Sequence, residues 1–458
     1  MERRRELLVG LVIVVLIAAG LALDAGADAV DPPTETAATT GLIHQRALFC
    51  PPTPQDTEGS TTLTTWATSD DPVAISVSDE DATELESGRV HSDKLSGSEA
   101  VNVVGSGAPL LADASMTFTE PFEAAGAAPC SHEASPEWYF PEGSTDIGYN
   151  QRLLIYNPFP DEAVVRITFV TKKGIEAKAG LAKVAVPSGE SIEVAVREKI
   201  LPHPALATVI SAVRGRVVAW KVLFSKAEGR QRGVEFSLGA IRGSTHLFFP
   251  LGKVDEGSDE RITILNPEDK SAKVTVTLLT KDGVLPAPQF VEEIIRAGDT
   301  KILELSTLGG KDGPPVGPLS ARIESVNGVG IIAEQTLEFG SAGFEGVASE
   351  FGMDEAAKSW WVGPPAAGAT TQDALVVLNV GAKVAHVDVT LESASGEPLH
   401  PRTLQGIEIP AGRRGTILLP DTDGGPFVAF VETDQDVVIA RIAQVGSDVA
   451  VIAGVPAE

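Results

Sequence analysis

The chain has 458 residues, with 36 Lys and Arg against 63 Asp and Glu and a formal net charge of −27. That length predicts roughly three to four domains, and the acidic balance sets the surface against nucleic acid phosphates and anionic lipid headgroups, which argues against nucleic acid as a partner. The acid is spread through the chain, as on a soluble, self-repelling surface.

The first element is a membrane segment. Met1-Glu2-Arg3-Arg4-Arg5-Glu6 supplies a basic cluster, and Leu7 to Leu23 follows as 17 uncharged apolar residues ending at Asp24. Positive residues stay on the cytoplasmic side, so residues 1–24 predict a transmembrane anchor or signal peptide that places the rest of the chain outside. The run is short for a spanning helix, while Ala25-Gly26-Ala27 and Ala27-Asp28-Ala29 offer small-residue cleavage sites; anchor and signal peptide both stay open. Residues 25–45 carry Ala, Asp, Pro and Thr without an apolar period and read as a flexible stalk.

Residues 46–135 form a divergent first β module, bracketed by Cys50 and Cys130, with Val73-Ala74-Ile75-Ser76-Val77 alternating as a strand does. In an oxidising compartment two lone thiols pair by default. A disulfide would close a loop of about 80 residues and contribute about 4.5 kcal/mol by loop entropy. Two unrelated buried thiols, or a metal pair lacking partners, are the alternatives.

From residue 136 one pattern is written three times. Leu153-Leu154-Ile155-Tyr156-Asn157-Pro158 recurs 109 residues later as Ile262-Thr263-Ile264-Leu265-Asn266-Pro267, and 113 residues after that as Leu375-Val376-Val377-Leu378-Asn379-Val380. Alternating triplets follow each copy: Val165, Ile167, Phe169; Val274, Val276, Leu278; Val387, Val389, Leu391. Period 2 turns these toward one face. Glycine then stands at Gly174, Gly283 and Gly396, in turn chemistry. Strand, turn and strand follow around Pro187-Ser188-Gly189, Ala297-Gly298 and Pro410-Ala411-Gly412, and each repeat ends in a hairpin. About seven short strands per repeat predict tandem immunoglobulin-like β-sandwich modules over 136–243, 244–355 and 356–458, an all-β fold after one N-terminal membrane helix.

The openings Trp138-Tyr139-Phe140-Pro141, His246-Leu247-Phe248-Phe249-Pro250 and Trp360-Trp361-Val362-Gly363-Pro364 precede these runs. With the Asn-Pro and Pro-x-Gly signals they resemble a module of uncharacterised exported actinobacterial proteins, one family of which is a domain of unknown function. The resemblance covers about residues 136–457, and the cysteine frame with its membrane segment resembles the same layout. It implies a secreted or envelope-attached protein and transfers no catalytic residue.

Chemistry is sparse. His44, His91, His132, His203, His246, His386 and His400 are scattered with no metal-ligand spacing, and neither a nucleophile elbow nor a phosphate loop occurs. Asp79-Glu80-Asp81, Asp421-Thr422-Asp423-Gly424 and Asp434-Gln435-Asp436 offer oxygen ligands for calcium, though such acids are ordinarily solvated turns. No cofactor is called for. Because neighbouring strand residues face opposite ways, Trp138, Tyr139, Trp360 and Trp361 are the candidate contact surface, with a sealed junction to the preceding module as the alternative. The expectation is an exported, non-enzymatic scaffold or binding protein whose partner is an envelope protein or glycan. A carbohydrate-binding accessory and, less favoured, a hydrolase with a triad between modules are the alternatives.

Overall fold

The computed structural model describes residues 45–457 apart from 69–72, 78–82, 86–88, 96–98, 107–109, 310–316, 342, 367–369, 395–396 and 421–424. The expected anchor and stalk lie outside the described residues, as do the acids at 79–81 and 421–424. Among the described residues, strands account for nearly all regular structure, helix is confined to five short 3-10 turns, and no helix is long and apolar enough to cross a membrane.

Each repeat supplies two facing antiparallel sheets. In the second, the inner sheet runs Ser191–Ala195, Tyr149–Tyr156, Val218–Ser225, Gly233–Leu238, and the outer sheet carries Gly174–Ala177, Ala163–Thr171, Ala207–Arg214 and Glu137–Phe140. The third follows the same order with Thr300–Glu304, Asp259–Leu265, Ile332–Ser341 and Phe344–Phe351 inside. In the fourth, the 19-residue strand Phe427–Val445 serves both layers, pairing early with Ala385–Ser393 and later with Gln372–Asn379. The first set of strands, which matches the repeat only loosely in sequence, has the same inner order: Val90–Leu95, Gly59–Ala67, Leu110–Phe118, Ala124–Pro129.

The repeated Asn explains the recurring pattern. Asn157, Asn266 and Asn379 are fully buried at the ends of their strands. Each Nδ2 donates to the carbonyl four residues on, Asp161, Lys270 or Lys383, and to a carbonyl of the outer layer, Val186, Ile295 or Ile409. Each Oδ1 accepts the N–H two residues on, of Phe159, Glu268 or Gly381. One amide thus closes a turn and ties inner sheet to outer. The following Pro plays no part in this, which is why Val380 serves in the last copy.

Residues 45–458 form one compact unit. The repeats do not stand apart as a string. The last inner strands, Ala124–Pro129, Gly233–Leu238, Phe344–Phe351 and Asp448–Ala453, each pack on the next, and the fourth returns to the first. Four inner sheets therefore radiate from one closed axis, and the core is shared: Phe118 of the first repeat meets Phe224 of the second with ring centroids 5.0 Å apart. Residues with two-sided neighbours are buried on both faces, which removes the solvent-facing alternation of a lone sandwich.

Candidate functional site

Cys50 and Cys130 are bonded, with Cα atoms 4.4 Å apart and both residues buried among Leu48, Leu63 and Val103. The candidate aromatic surface is corrected by the structure. Trp138 and Trp360 are core residues whose indole N–H groups donate to the carbonyls of Val217 (2.7 Å) and Ala357 (3.1 Å). Trp361 does face the other way, but the first repeat's Trp66 and Val90 cover it and Phe430 lies 4.4 Å from its ring. Tyr139 is half-buried against Leu265 of the third repeat. Each outward ring meets another repeat, Trp361 the first and Tyr139 the third, so these aromatics seal junctions.

Among the described residues no group of three or more His, Cys, Asp or Glu could hold a metal. Asp434, one of the calcium candidates, instead accepts the His386 N–H at 2.9 Å and faces its Nδ1 at 2.9 Å, which holds the carboxyl below its usual range and raises the imidazole.

The strongest electrostatics lie where repeats meet. Between the second and third, Lys221 Nζ donates to Glu334 Oε1 at 2.7 Å and to the Glu142 carbonyl at 2.9 Å, with both charged side chains at 0% exposure. Glu142 accepts from Arg261 at 3.0 Å and from the Thr263 hydroxyl at 2.6 Å. Burial pushes Glu235 beside them up to about 7, against the pull of Lys221.

Within the fourth repeat, on the side facing the first, Arg441 clasps Asp373 through two bonds of 2.9 and 2.6 Å. Asp113 of the first repeat is buried nearby, its carboxyl pushed well up by desolvation and drawn back by Arg441. Lys221, Gln335 and Arg441 are structural equivalents, paired with Leu153, Ile262 and Leu375, each four residues before the repeated Asn. Two of the three are cations that reach toward a neighbouring acid.

On the axis sits Asp448. Its carboxylate accepts four backbone N–H groups, one from each repeat: Ala125 at 3.1 Å, Val234 at 2.9 Å, Val347 at 3.0 Å and its own neighbour Val449 at 2.9 Å. Burial pushes its pKa up to about 8 while the donors pull the other way. The residues preceding the other three donors are Ala124, Gly233 and Gly346. A Cβ on either glycine would collide with Asp448 Oδ1, so both positions require the bare backbone.

Among the grooves at the junctions, two occupy equivalent positions. One of about 720 Å³ lies between third and fourth repeats, lined by Lys281, Asp282, Val284, Pro318, Arg414 and Thr416. The other, about 310 Å³, lies between second and third and is lined by Lys172, Leu206, Thr263, Lys301 and Ile302 beside Glu142. Sequence reasoning missed the junction residues. Their signal is present: Lys221 in Val-Ala-Trp-Lys-Val-Leu-Phe, Arg441 in Val-Ile-Ala-Arg-Ile-Ala and Asp448 before Val-Ala-Val-Ile are lone charges in short stretches otherwise apolar on both faces.

A closed, all-β ring of four repeats held by buried junctions is the class of protein these features define. The chain belongs to a family of unknown function, DUF5719, whose model matches residues 101–308 and again 205–455, the second match starting about one repeat after the first. No curated protein matches. A solved structure described as PNGF-II in space group P21 aligns over 82% of this chain and 96% of that one at 9% identity, with a TM-score of 0.18, at which no shared fold is inferred.

Proposed function

We propose that the chain is an exported, non-enzymatic scaffold or binding protein of the cell envelope, with residues 1–24 as anchor or signal peptide and 25–45 as stalk. The folded part is read as four immunoglobulin-like sandwiches, 46–135, 136–243, 244–355 and 356–458, gathered round one axis and presenting the grooves between them to an envelope protein. The observation that carries this reading is the use made of deeply buried charge. Lys221 with Glu334 and Asp448 with its amides join one repeat to another, a structural task. The bonded cysteine pair supports an oxidising compartment outside the cytoplasm.

The test is protease and crosslinker access on intact cells, with identification of captured proteins and sequencing of the mature N-terminus. Labelling from outside, with one recurrent envelope protein captured, is the expected result. A chain protected in intact cells and labelled only after lysis overturns the reading.

A further inference from the structure

The two open grooves are copies of one place, and the first junction shows what fills it. Glu193, Ile302 and Thr416 are equivalent, each paired with the residue three before the repeated Asn: Leu154, Thr263 and Val376. Ile302 lines the groove between second and third repeats, and Thr416 lines the one between third and fourth. At the first junction Glu193 instead accepts the backbone N–H of Gln55 at 2.6 Å, while Arg152, paired with Glu193 at 2.6 Å, donates to the Gln55 carbonyl. The chain's own segment, with Pro54 buried behind Gln55, lies there and is held by its main chain. A peptide backbone is thus the natural occupant of this position.

The groove between third and fourth repeats has room and an edge. Among the described residues, Arg414–Leu418 pairs with only one strand, Gln372–Asn379, and Gly283–Leu285 across the groove pairs only with Ala272–Thr280. An unpaired strand edge is a template for an added strand. The groove is also basic on a chain of net charge −27. Lys281 is exposed, Arg413 reaches across to donate to the Lys281 carbonyl at 2.9 Å, and Arg414 is buried with its Nε lacking a hydrogen-bond partner. Asp282 is the acid on the rim. Beside Arg414, burial pushes Glu260 and Glu350 each up to about 8, against the pull of the guanidinium.

We propose that this groove receives an extended acidic peptide segment of a partner protein, aligned along Arg414–Leu418 with its carboxylates toward Lys281, Arg413 and Arg414. The proposal deepens the binding part of the function above by naming the partner's chemistry. It is tested separately, because binding in solution does not depend on where the chain resides in the cell.

The experiment measures anisotropy of a fluorescein-labelled Glu-Val-Glu-Val-Glu-Val amide, acidic on one face when extended, against the full chain. Saturable binding that weakens with salt is expected, with no binding of the Lys-Val counterpart. The double variant Lys281→Gln/Arg413→Gln removes two partly exposed cations and should weaken the acidic peptide about tenfold, whereas Lys172→Gln in the other groove leaves it unchanged. Matching melting temperatures for the double variant and wild type show that the junction is intact. Absence of saturable binding, equal binding of the basic peptide, or indifference to the double variant overturns the proposal. So does full competition by free glutamate, which marks a simple anion site.

Discussion

Replacing Asp448 by Ala takes one acceptor from four buried amides at once. Their distances, 3.1, 2.9, 3.0 and 2.9 Å, make all four ordinary hydrogen bonds. A buried donor left unmet costs about 1–3 kcal/mol. The space vacated by a carboxylate admits about one water, which satisfies some of the four. Taking the lower figure for each gives a loss of about 4 kcal/mol, a large share of the roughly 5–15 kcal/mol that holds a typical fold. Asp448→Asn keeps one oxygen but turns an NH2 toward other donors, so it should recover less than half of that loss. Urea unfolding of the oxidised chain, followed by tryptophan fluorescence, reads both, with Asp354→Ala, about half exposed, as a control near zero. A loss below about 1 kcal/mol for Asp448→Ala would refute the idea that this carboxylate joins the repeats.

Three further outcomes follow from the junctions. Lys221→Met should cost about 3–5 kcal/mol by stranding Glu334, while Lys221→Met/Glu334→Leu regains most of it; a double variant no more stable than the single one contradicts this in the same urea titration. The folded-state pKa values of Glu260 and Glu350 lie near 8, above those of free carboxyls, so the native state holds protons that the unfolded chain releases. Stability from these groups is full below about pH 4 and is lost as pH rises through 8, so calorimetric melting temperature should fall across that window; a rise would count against the buried acids. Reduction of Cys50–Cys130 should lower stability by about 4.5 kcal/mol, read as a shift of the urea midpoint with dithiothreitol, and an unchanged midpoint argues against it.

Local features were legible because local physics sets them. Glycine at 174 and 283 does adopt the left-handed conformation that a tight turn needs, with φ of 101° and 124°, and the period-2 triplets Val165, Ile167, Phe169 and their counterparts are buried as read. Asn157 announced a strand end, but its three-way bonding depends on an outer strand 29 residues on and could not be seen in the dipeptide. Between the two readings of the outward rings, contact surface or sealed junction, the sequence does not choose, for a related reason. Alternation correctly gave Trp361 and Tyr139 a second face, yet which repeat covers that face, the first for Trp361 and the third for Tyr139, is set by the packing of repeats and by no local period. Lys221 and Arg441 interrupt strands that would otherwise be buried on both faces, and such a charge needs a partner from elsewhere in the chain. The partner's identity, Glu334 or Asp373 with Asp113, emerges only with the packing of the inner sheets.

Asp448 also limits how alike the four quarters can become. Ala124, Gly233 and Gly346 stand where it stands, turned toward the same point. Four carboxylates there would repel at contact distance and could not all ionise, while four glycines would leave the amides facing one another with no acceptor. A keystone has to differ from the stones it locks, and perfect internal symmetry would dismantle this arch.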